Sequence, residues 1–156
     1  MIKHKIWSVF FVLLFLLSCN SDSENVQMKN LNGNWNKKAE QKFNFTISDA
    51  QNAKNIIFVV RNNNNYPYSN IRFIVNFTDN KTKNKKVDTL NYILAQPDGT
   101  WIGKGFGDTK ETLFQYKVNH KFPQNGTYSI GVIQAMRTDT LKGIEDLGVK
   151  IETAKP

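Results

Sequence analysis

Apolar and polar residues alternate with a period of two from about residue 41 towards the end of the chain. Phe43, Phe45 and Ile47 are each separated by one polar residue. Successive side chains of a strand point to opposite faces, so this spacing predicts strands with one buried face. Similar segments cover residues 56–60, 71–77, 90–94, 101–106, 114–118, 128–133 and 147–151. The run at 56–60 has no polar interruption and predicts a strand buried on nearly both faces.

Turn-forming residues separate these segments. Pro97-Asp98-Gly99 is one example, because proline favours the second position of a turn and glycine adopts conformations that other residues avoid. Short strands with turns at this spacing are typical of an antiparallel sandwich or barrel. The sequence therefore predicts an all-β fold over residues 41–156: an antiparallel β-sandwich of about eight strands, jelly-roll or immunoglobulin-like.

The start of the chain has a different pattern. Lys3 and Lys5 precede an apolar run over residues 6–17. This run is too short for a membrane-spanning helix, which needs about 20 apolar residues, and is typical of a secretory signal. Residues 16–19, Leu-Leu-Ser-Cys, resemble the lipobox of bacterial lipoproteins, in which the cysteine becomes the lipid-bearing first residue. We therefore predict a lipoprotein signal peptide over residues 1–18 and lipidation at Cys19; an unmodified thiol after a shortened signal is the alternative.

Lipidation of Cys19 would attach the protein to a membrane. One acyl chain anchors only marginally, whereas two or three chains such as palmitate hold firmly, at about 0.8 kcal/mol per buried methylene. Cys19 is the only cysteine, so the fold is expected to form without disulfides. Residues 20–40 are mostly polar, and residues 19–40 are predicted to be the lipidated N-terminus and a short tether. Docking of the tether on the domain near Trp35 is left open.

The chain is basic, but its composition argues against nucleic acid as a partner. The formal net charge of +8 falls by two, to +6, when Lys3 and Lys5 leave with the signal. Export removes the chain from the cytoplasm, and its 21 basic residues include few arginines. Four lysines are close together in a predicted hairpin loop: Lys81, Lys83, Lys85 and Lys86. Protection of a strand edge is the favoured interpretation, and contact with anionic lipid headgroups is the alternative.

Residues suited to catalysis or metal binding are scarce. His120 is the only histidine after the signal, so any triad would have to use it, and a satisfied or solvent-facing histidine at a strand edge is favoured. Zinc sites with several His or Cys ligands are excluded by residue count. Gly103-Lys104-Gly105-Phe106-Gly107 lacks the order of a phosphate-binding loop and indicates a bulge or a close approach of another group. We expect no enzymatic activity, no cofactor and no metal.

Three aromatic residues near turns are candidates for recognition. Tyr66, Tyr68 and Trp101 do not fit the core-facing pattern of the other aromatic residues. Exposed aromatic side chains are common at protein interfaces, and they also stack on sugars. With Lys104 and Phe106 they form the candidate interaction surface, and packing within the core or the turns is the alternative.

Several segments together resemble one family, the GldH gliding-motility lipoproteins of Bacteroidetes. The resemblance covers nearly the whole chain and includes the signal and Cys19. Its segments are Tyr66-Pro67-Tyr68-Ser69-Asn70, Asp88-Thr89-Leu90, Pro97-Asp98-Gly99-Thr100-Trp101-Ile102-Gly103-Lys104-Gly105-Phe106-Gly107-Asp108, Phe122-Pro123-Gln124-Asn125-Gly126-Thr127-Tyr128 and Gln134-Ala135-Met136-Arg137.

The resemblance implies a role in gliding, as a lipid-anchored envelope component that contacts other envelope proteins of the gliding machinery and needs no cofactor. It places the anchor in the outer membrane, at the periplasmic face or the cell surface. Ser21-Asp22-Ser23-Glu24 is similar to acidic signals for surface export in this phylum. Thr89 and Thr140, each in an Asp-Thr-Leu sequence, resemble its O-glycosylation acceptors. A module that binds surface carbohydrate is the alternative function.

Overall fold

The structure is a computed structural model that describes residues 25–155. The predicted signal peptide and Cys19 lie outside the described residues. Within them the chain forms β1 (Asn25–Asn30), β2 (Asn34–Asn36), β3 (Gln41–Ile47), β4 (Lys54–Asn62), β5 (Asn70–Asp79), β6 (Lys85–Ile93), β7 (Lys110–His120), β8 (Gly126–Gln134), β9 (Thr140–Lys142) and β10 (Ile144–Thr153). No helix among these residues is long and apolar enough to span a membrane.

The strands form two antiparallel four-stranded sheets. One sheet has the order β1-β10-β4-β7 and the other β3-β8-β5-β6, and the short strands β2 and β9 pair with each other. Without β2 and β9, this order is that of the two Greek keys of a jelly roll. The predicted all-β antiparallel sandwich is confirmed, and the jelly-roll alternative describes its topology.

Because neighbouring strands are antiparallel, the connections collect at two opposite ends of the sandwich. We call the end that contains Asn25 the proximal end. It also holds the loops 48–53, 80–84 and 121–125 and residues 154–155. The opposite, distal end holds residues 31–40, the loops 63–69 and 94–109, and residues 135–143.

Aromatic side chains at the centre join the two sheets. Phe58 of β4 meets Phe73 of β5 edge to face, with ring centroids 5.7 Å apart. Trp35 lies against the same Phe73 at 5.7 Å, and Tyr92 of β6 stacks on Phe114 of β7 at 4.4 Å. Such pairs add about 0.5–1.5 kcal/mol each beyond the burial of their area. The core therefore contains contacts from both sheets and from the segment before β3.

The period-two pattern located most of the long strands. Each predicted segment except residues 101–106 lies within or overlaps one of β3 to β8 or β10. The prediction that residues 56–60 are buried on both faces is confirmed, because the outward-facing Ile57 and Val59 are only 4% and 5% exposed.

Residues 25–40 differ from the predicted tether. β1 pairs with β10 over its whole length, from Asn25 opposite Ile151 to Asn30 opposite Asp146. Trp35 is 1% exposed, and its indole N–H donates to the carbonyl of Ala39 at 2.9 Å. The domain therefore includes residues 25–40, and the described residues leave only the segment before Asn25 as a possible tether.

Residues 101–106 are not a strand, although their apolar residues predicted one. Within this segment, Trp101 and Lys104 each form an isolated bridge, to Ala95 and Glu111. Gly103 and Gly105 lie so close to the backbone of residues 109–111 that a side chain would collide with it. The segment therefore follows the start of β7 as a closely packed loop.

The burial of Trp35 can be tested by unfolding. Trp35→Ala should lower the free energy of unfolding by about 3–5 kcal/mol, because it removes a buried aromatic side chain and leaves a cavity. The matched control is Asn34→Ala, at the exposed neighbouring position of β2, with an expected change of about 0.5 kcal/mol or less. Urea denaturation measures both. Equal effects of the two changes would contradict the placement of β2 in the fold.

Candidate functional site

The distal end brings together aromatic residues from two separate loops. Tyr66 and Tyr68 lie in the loop between β4 and β5, and Trp101 lies in the loop between β6 and β7. The ring of Tyr66 is 5.8 Å from that of Tyr68 and 6.3 Å from that of Trp101. Residues distant in sequence therefore form one aromatic group at this end.

The apolar side chains of these two loops differ in exposure. Phe106 is fully exposed, Ile102 is 42% and Tyr68 38% exposed, and Trp101 is half-buried. Together with the exposed Lys104 these residues lie in two loops at the same end of the sandwich, and we call this set the distal aromatic surface. Ile102 was not among the predicted residues.

Tyr66 does not belong to this surface, although it was predicted there. It is 3% exposed, and its hydroxyl donates to the carbonyl of Asn70 at 2.7 Å. Burial raises the pKa of Tyr66. Gly143, at a φ of 80°, lies against the backbone of Tyr66 and has no room for a side chain. Tyr66 is therefore a buried residue that packs against Tyr68 and Trp101 from the side of the core.

The glycine-rich loop packs tightly on β7. Lys104 and Glu111 exchange two backbone hydrogen bonds of 3.0 and 2.8 Å. A Cβ on Gly103 would lie 2.8 Å from the carbonyl oxygen of Glu111, which is closer than such atoms approach. The prediction of a close approach is confirmed for Gly103 and Gly105, whereas a Cβ on Gly107 would meet nothing within 4 Å. The loop presents Lys104 and Phe106 outward from a fixed backbone.

Polar side chains connect the two loops. The indole N–H of Trp101 donates to Asn64 at 3.2 Å, and the side-chain amide of Asn64 donates to Asp108 at 3.1 Å. Asparagines occupy residues 62–65, at the end of β4 and in the loop that follows it. Their density between two strands was the available signal for this role.

Glu145 of β10 binds both loops at once. Its carboxylate accepts hydrogen bonds from the Asn63 amide at 2.8 Å and from the Thr109 hydroxyl at 2.7 Å. The hydrogen bond from Thr109, followed by that from Asn63, lowers the pKa of Glu145. The loops that carry the distal aromatic surface are thereby attached to the sheet.

A cavity of about 240 Å³ lies near the proximal end, between the edge strands β6 and β7. The half-buried His120 contributes to its lining, with its ring 5.5 Å from that of Phe77 and 4.9 Å from that of Phe122. Burial, and then the charges of Lys117 and Lys86, lower the pKa of His120. Nε2 of His120 has no hydrogen-bond partner among the described residues. This differs from the satisfied or solvent-facing histidine that the sequence favoured.

The acid in the same cavity has partners. The carboxylate of Asp88 accepts hydrogen bonds from the Tyr116 hydroxyl at 2.7 Å and from the Lys117 ammonium at 2.8 Å. These donors, with Lys117 the stronger, lower the pKa of Asp88. Residues 25–155 contain no group of three or more His, Cys, Asp or Glu side chains arranged to hold a metal ion.

The remaining predicted residues lie on the surface. Thr89 is exposed on β6, and Thr140 is exposed on β9. The lysine group lies in and beside the loop between β5 and β6, which pair as a hairpin, so the predicted hairpin is confirmed. All four of its lysines are exposed.

Comparison with known proteins identifies the family. The family model for the GldH lipoprotein matches residues 24–151. The chain belongs to the GldH lipoprotein family. The gliding motility lipoprotein GldH of Flavobacterium johnsoniae is 34% identical over 146 residues, which cover 89% of this chain and 90% of that protein. A GldH homolog of Christiangramia forsetii is 35% identical over 158 residues, which cover 94% and 95% of the two chains.

One solved structure is similar at low sequence identity. It is a carbohydrate-binding module, CBM28, specific for non-crystalline cellulose, with 9% identity and a TM-score of 0.41 over 83% of this chain and 80% of that chain. This similarity is too distant to indicate what the GldH-family chain binds.

The role of Glu145 in holding the loops can be tested by unfolding at two pH values. Glu145→Gln should cost about 1 kcal/mol at neutral pH, because the amide has one accepting oxygen for two donors. The folded pKa of Glu145 is lowered, so its stabilisation is present above the unfolded pKa and disappears as the pH falls through the folded pKa. The difference between the wild type and the variant should therefore vanish in acid.

A double-mutant cycle provides the control for this prediction. If the hydrogen bond to Asn63 carries the effect, Asn63→Ala and Glu145→Gln should be less than additive in urea denaturation. Full additivity would contradict the coupling of the loop to β10.

Proposed function

We propose that this GldH-family chain is a lipid-anchored component of the cell envelope that supports gliding through contacts with other envelope proteins, without enzymatic activity. The distal aromatic surface is the observation that carries the proposal. The relatives of this chain include a gliding motility lipoprotein, which supports the assignment to gliding. The anchor is Cys19, in the outer membrane, at the periplasmic face or the cell surface.

The exposure of the distal aromatic surface favours a protein partner. Phe106 has no shielding from water, and Tyr68 and Ile102 are substantially exposed at the same end. A group of exposed apolar side chains of this kind marks an interaction site, and aromatic residues often dominate binding energy at interfaces. The glycine-rich loop and the hydrogen bonds to Asn64 and Glu145 hold these residues in place, which reduces the entropy lost on binding.

The surroundings of His120 support a role without catalysis. A catalytic base needs a nucleophile within hydrogen-bond reach and a group that orients it. His120 instead packs against Phe77 and Phe122, and its Nε2 has no partner among residues 25–155. The protein therefore acts through contacts with other proteins and not through catalysis.

Carbohydrate binding is the weaker alternative. It required Tyr66, Tyr68 or Trp101 as stacking surfaces, and Tyr66 is buried. Trp101 is half-buried, with its ring held by Asn64 and near Tyr66. Of these three residues only Tyr68 is exposed, so stacking on a sugar would depend on a single ring.

The surface can be tested in gliding cells. Tyr68→Ala combined with Phe106→Ala should abolish or strongly reduce colony spreading, because it removes two exposed aromatic contacts from the proposed interface. Neither side chain lies in the buried core, so the abundance and the unfolding transition should stay near wild type. Spreading assays and immunoblots provide the measurements.

The matched control removes exposed apolar side chains elsewhere. Val87→Ser combined with Val118→Ser changes residues that are 58% and 62% exposed on β6 and β7. This variant should glide normally. Normal gliding of the Tyr68/Phe106 variant at wild-type abundance would contradict the proposed interface.

The anchor has its own test. Cys19→Ala should prevent incorporation of labelled palmitate and release the protein from the membrane fraction, because Cys19 is the only cysteine available for acylation. Cys19→Ser is a second variant of more similar size. Labelled palmitate in either variant would contradict the assignment of the anchor.

A further inference from the structure

The sequence distance from Cys19 to β1 limits which end of the domain lies near the membrane. β1 begins at Asn25, six residues after Cys19. A chain extends at most about 3.6 Å per residue, so this link spans roughly 20 Å or less. The long strands are about 30 Å in length. The distal end is therefore farther from Asn25 than the link can reach, whereas Asn25, at the proximal end, lies within about 20 Å of an anchor at Cys19.

The same proximal end is rich in lysine. Six lysines are exposed there. They lie in the loops, at the adjoining start of β6 and near the end of the chain: Lys81, Lys83, Lys85, Lys86, Lys121 and Lys155. The ion pairs of the part of the chain that the structure describes involve other basic residues. The charges of these six lysines therefore face solvent.

The acidic side chains at this end neutralise the lysines only in part. Asp88 pairs with Lys117 and also feels the charge of Lys86, and Glu152 feels that of Lys155. Asp49 pairs with Lys54 at 2.7 Å. Asp79 is buried and accepts the backbone N–H groups of Lys81 and Thr82, at 2.9 and 3.3 Å. The proximal end therefore presents an excess of positive charge.

The distal end has no such excess. Its loops carry Asp98, Asp108 and Asp139 as well as basic residues, and Lys37 pairs with Asp139. The charge distribution along the long axis of the sandwich is thus asymmetric. An anionic surface would attract the proximal end over the distal end.

The start of β1 and the lysine hairpin lie at opposite edges of the proximal end. β1, which follows the anchor, is an edge strand of one sheet and contacts β3 of the other. β6, which follows the lysine-bearing loop, is the opposite edge strand of the second sheet. One attachment at each edge would hold the whole end face against the membrane.

We propose that the proximal end docks on anionic phospholipid headgroups of the leaflet that holds the anchor. Lys81, Lys83 and Lys85 of the hairpin contact the headgroups, and the distal aromatic surface points away from the membrane. This inference rests on the proposed lipid anchor at Cys19. It deepens the proposed function, because it places the protein-binding surface about 30 Å from the bilayer.

The orientation can be measured on the acylated full-length protein in vesicles. Gln51→Cys places a dye at the proximal end, and Gln96→Cys places one at the distal end; both positions are exposed. Acylation of Cys19 leaves the introduced cysteine as the free thiol. In vesicles of phosphatidylcholine and phosphatidylglycerol, a headgroup-attached quencher should quench the dye at position 51 and leave the dye at position 96 bright. Vesicles of phosphatidylcholine alone should give weaker quenching at position 51.

Charge-neutralising variants identify the docking residues. Lys81→Gln, Lys83→Gln and Lys85→Gln together should lower the docked-to-undocked equilibrium on the order of a hundredfold, since each lysine near such a surface contributes about fivefold. High salt should also lower the docked-to-undocked equilibrium, because it screens the attraction between the lysines and the headgroups. The control, Lys38→Gln with Arg137→Gln and Lys142→Gln, makes the same charge change at exposed positions of the distal end and should leave quenching unchanged.

The outcomes separate this inference from the proposed function. Equal quenching of the two dyes in palmitate-bearing protein, or equal effects of the two triple variants, would overturn the docking inference and leave the interface with envelope proteins intact. Protein without palmitate would overturn the anchor and the docking inference together. Loss of gliding in the Tyr68/Phe106 variant would still support the distal interface in either case.

Discussion

The contact between Phe58 and Phe73 is the interaction on which the rest of the structure depends. It joins the central strands of two sheets at 5.7 Å, in a domain whose described residues include no cysteine. Without covalent cross-links, stability must come from the burial of apolar side chains in a single core. Trp35 covers the same Phe73, so the segment before β3 adds to this core.

The jelly-roll topology then determines where functional residues can lie. Every long strand runs between the proximal and the distal end, so exposed loops occur at these two ends. Aromatic residues collect at the distal end, and lysines collect at the proximal end. Residues far apart in sequence, such as Tyr68 and Phe106, belong to one surface because their loops connect strands at the same end.

The sequence predicted strands well where one face is buried, and poorly elsewhere. Alternation revealed β3, because Phe43, Phe45 and Ile47 all enter the core. It missed β1, whose side chains are exposed or only half-buried on an edge strand, so that backbone pairing with β10 is its main support. An alternating pattern reports burial, and β1 has too little of it for the pattern to appear.

The candidate site shows a similar division. Turn residues indicated the loops in which Tyr68 and Phe106 lie, and Gly103 and Gly105 indicated a close backbone approach. The burial of Tyr66 was not predictable, because it depends on Gly143, which approaches from a different loop. The hydrogen bonds of Glu145 to two loops were not predictable either, because they follow only from the pairing of β10 with β4.

The two ends impose different requirements on the molecule. Contacts with lipid headgroups need charge and tolerate mobile lysine side chains, because the attraction acts over a Debye length of about 8–10 Å. Contacts with a protein need fixed shape, and the distal loops are attached by glycine packing and by Glu145. A partner that reaches the distal aromatic surface would therefore meet a preformed surface, at a distance from the bilayer that the length of the strands determines.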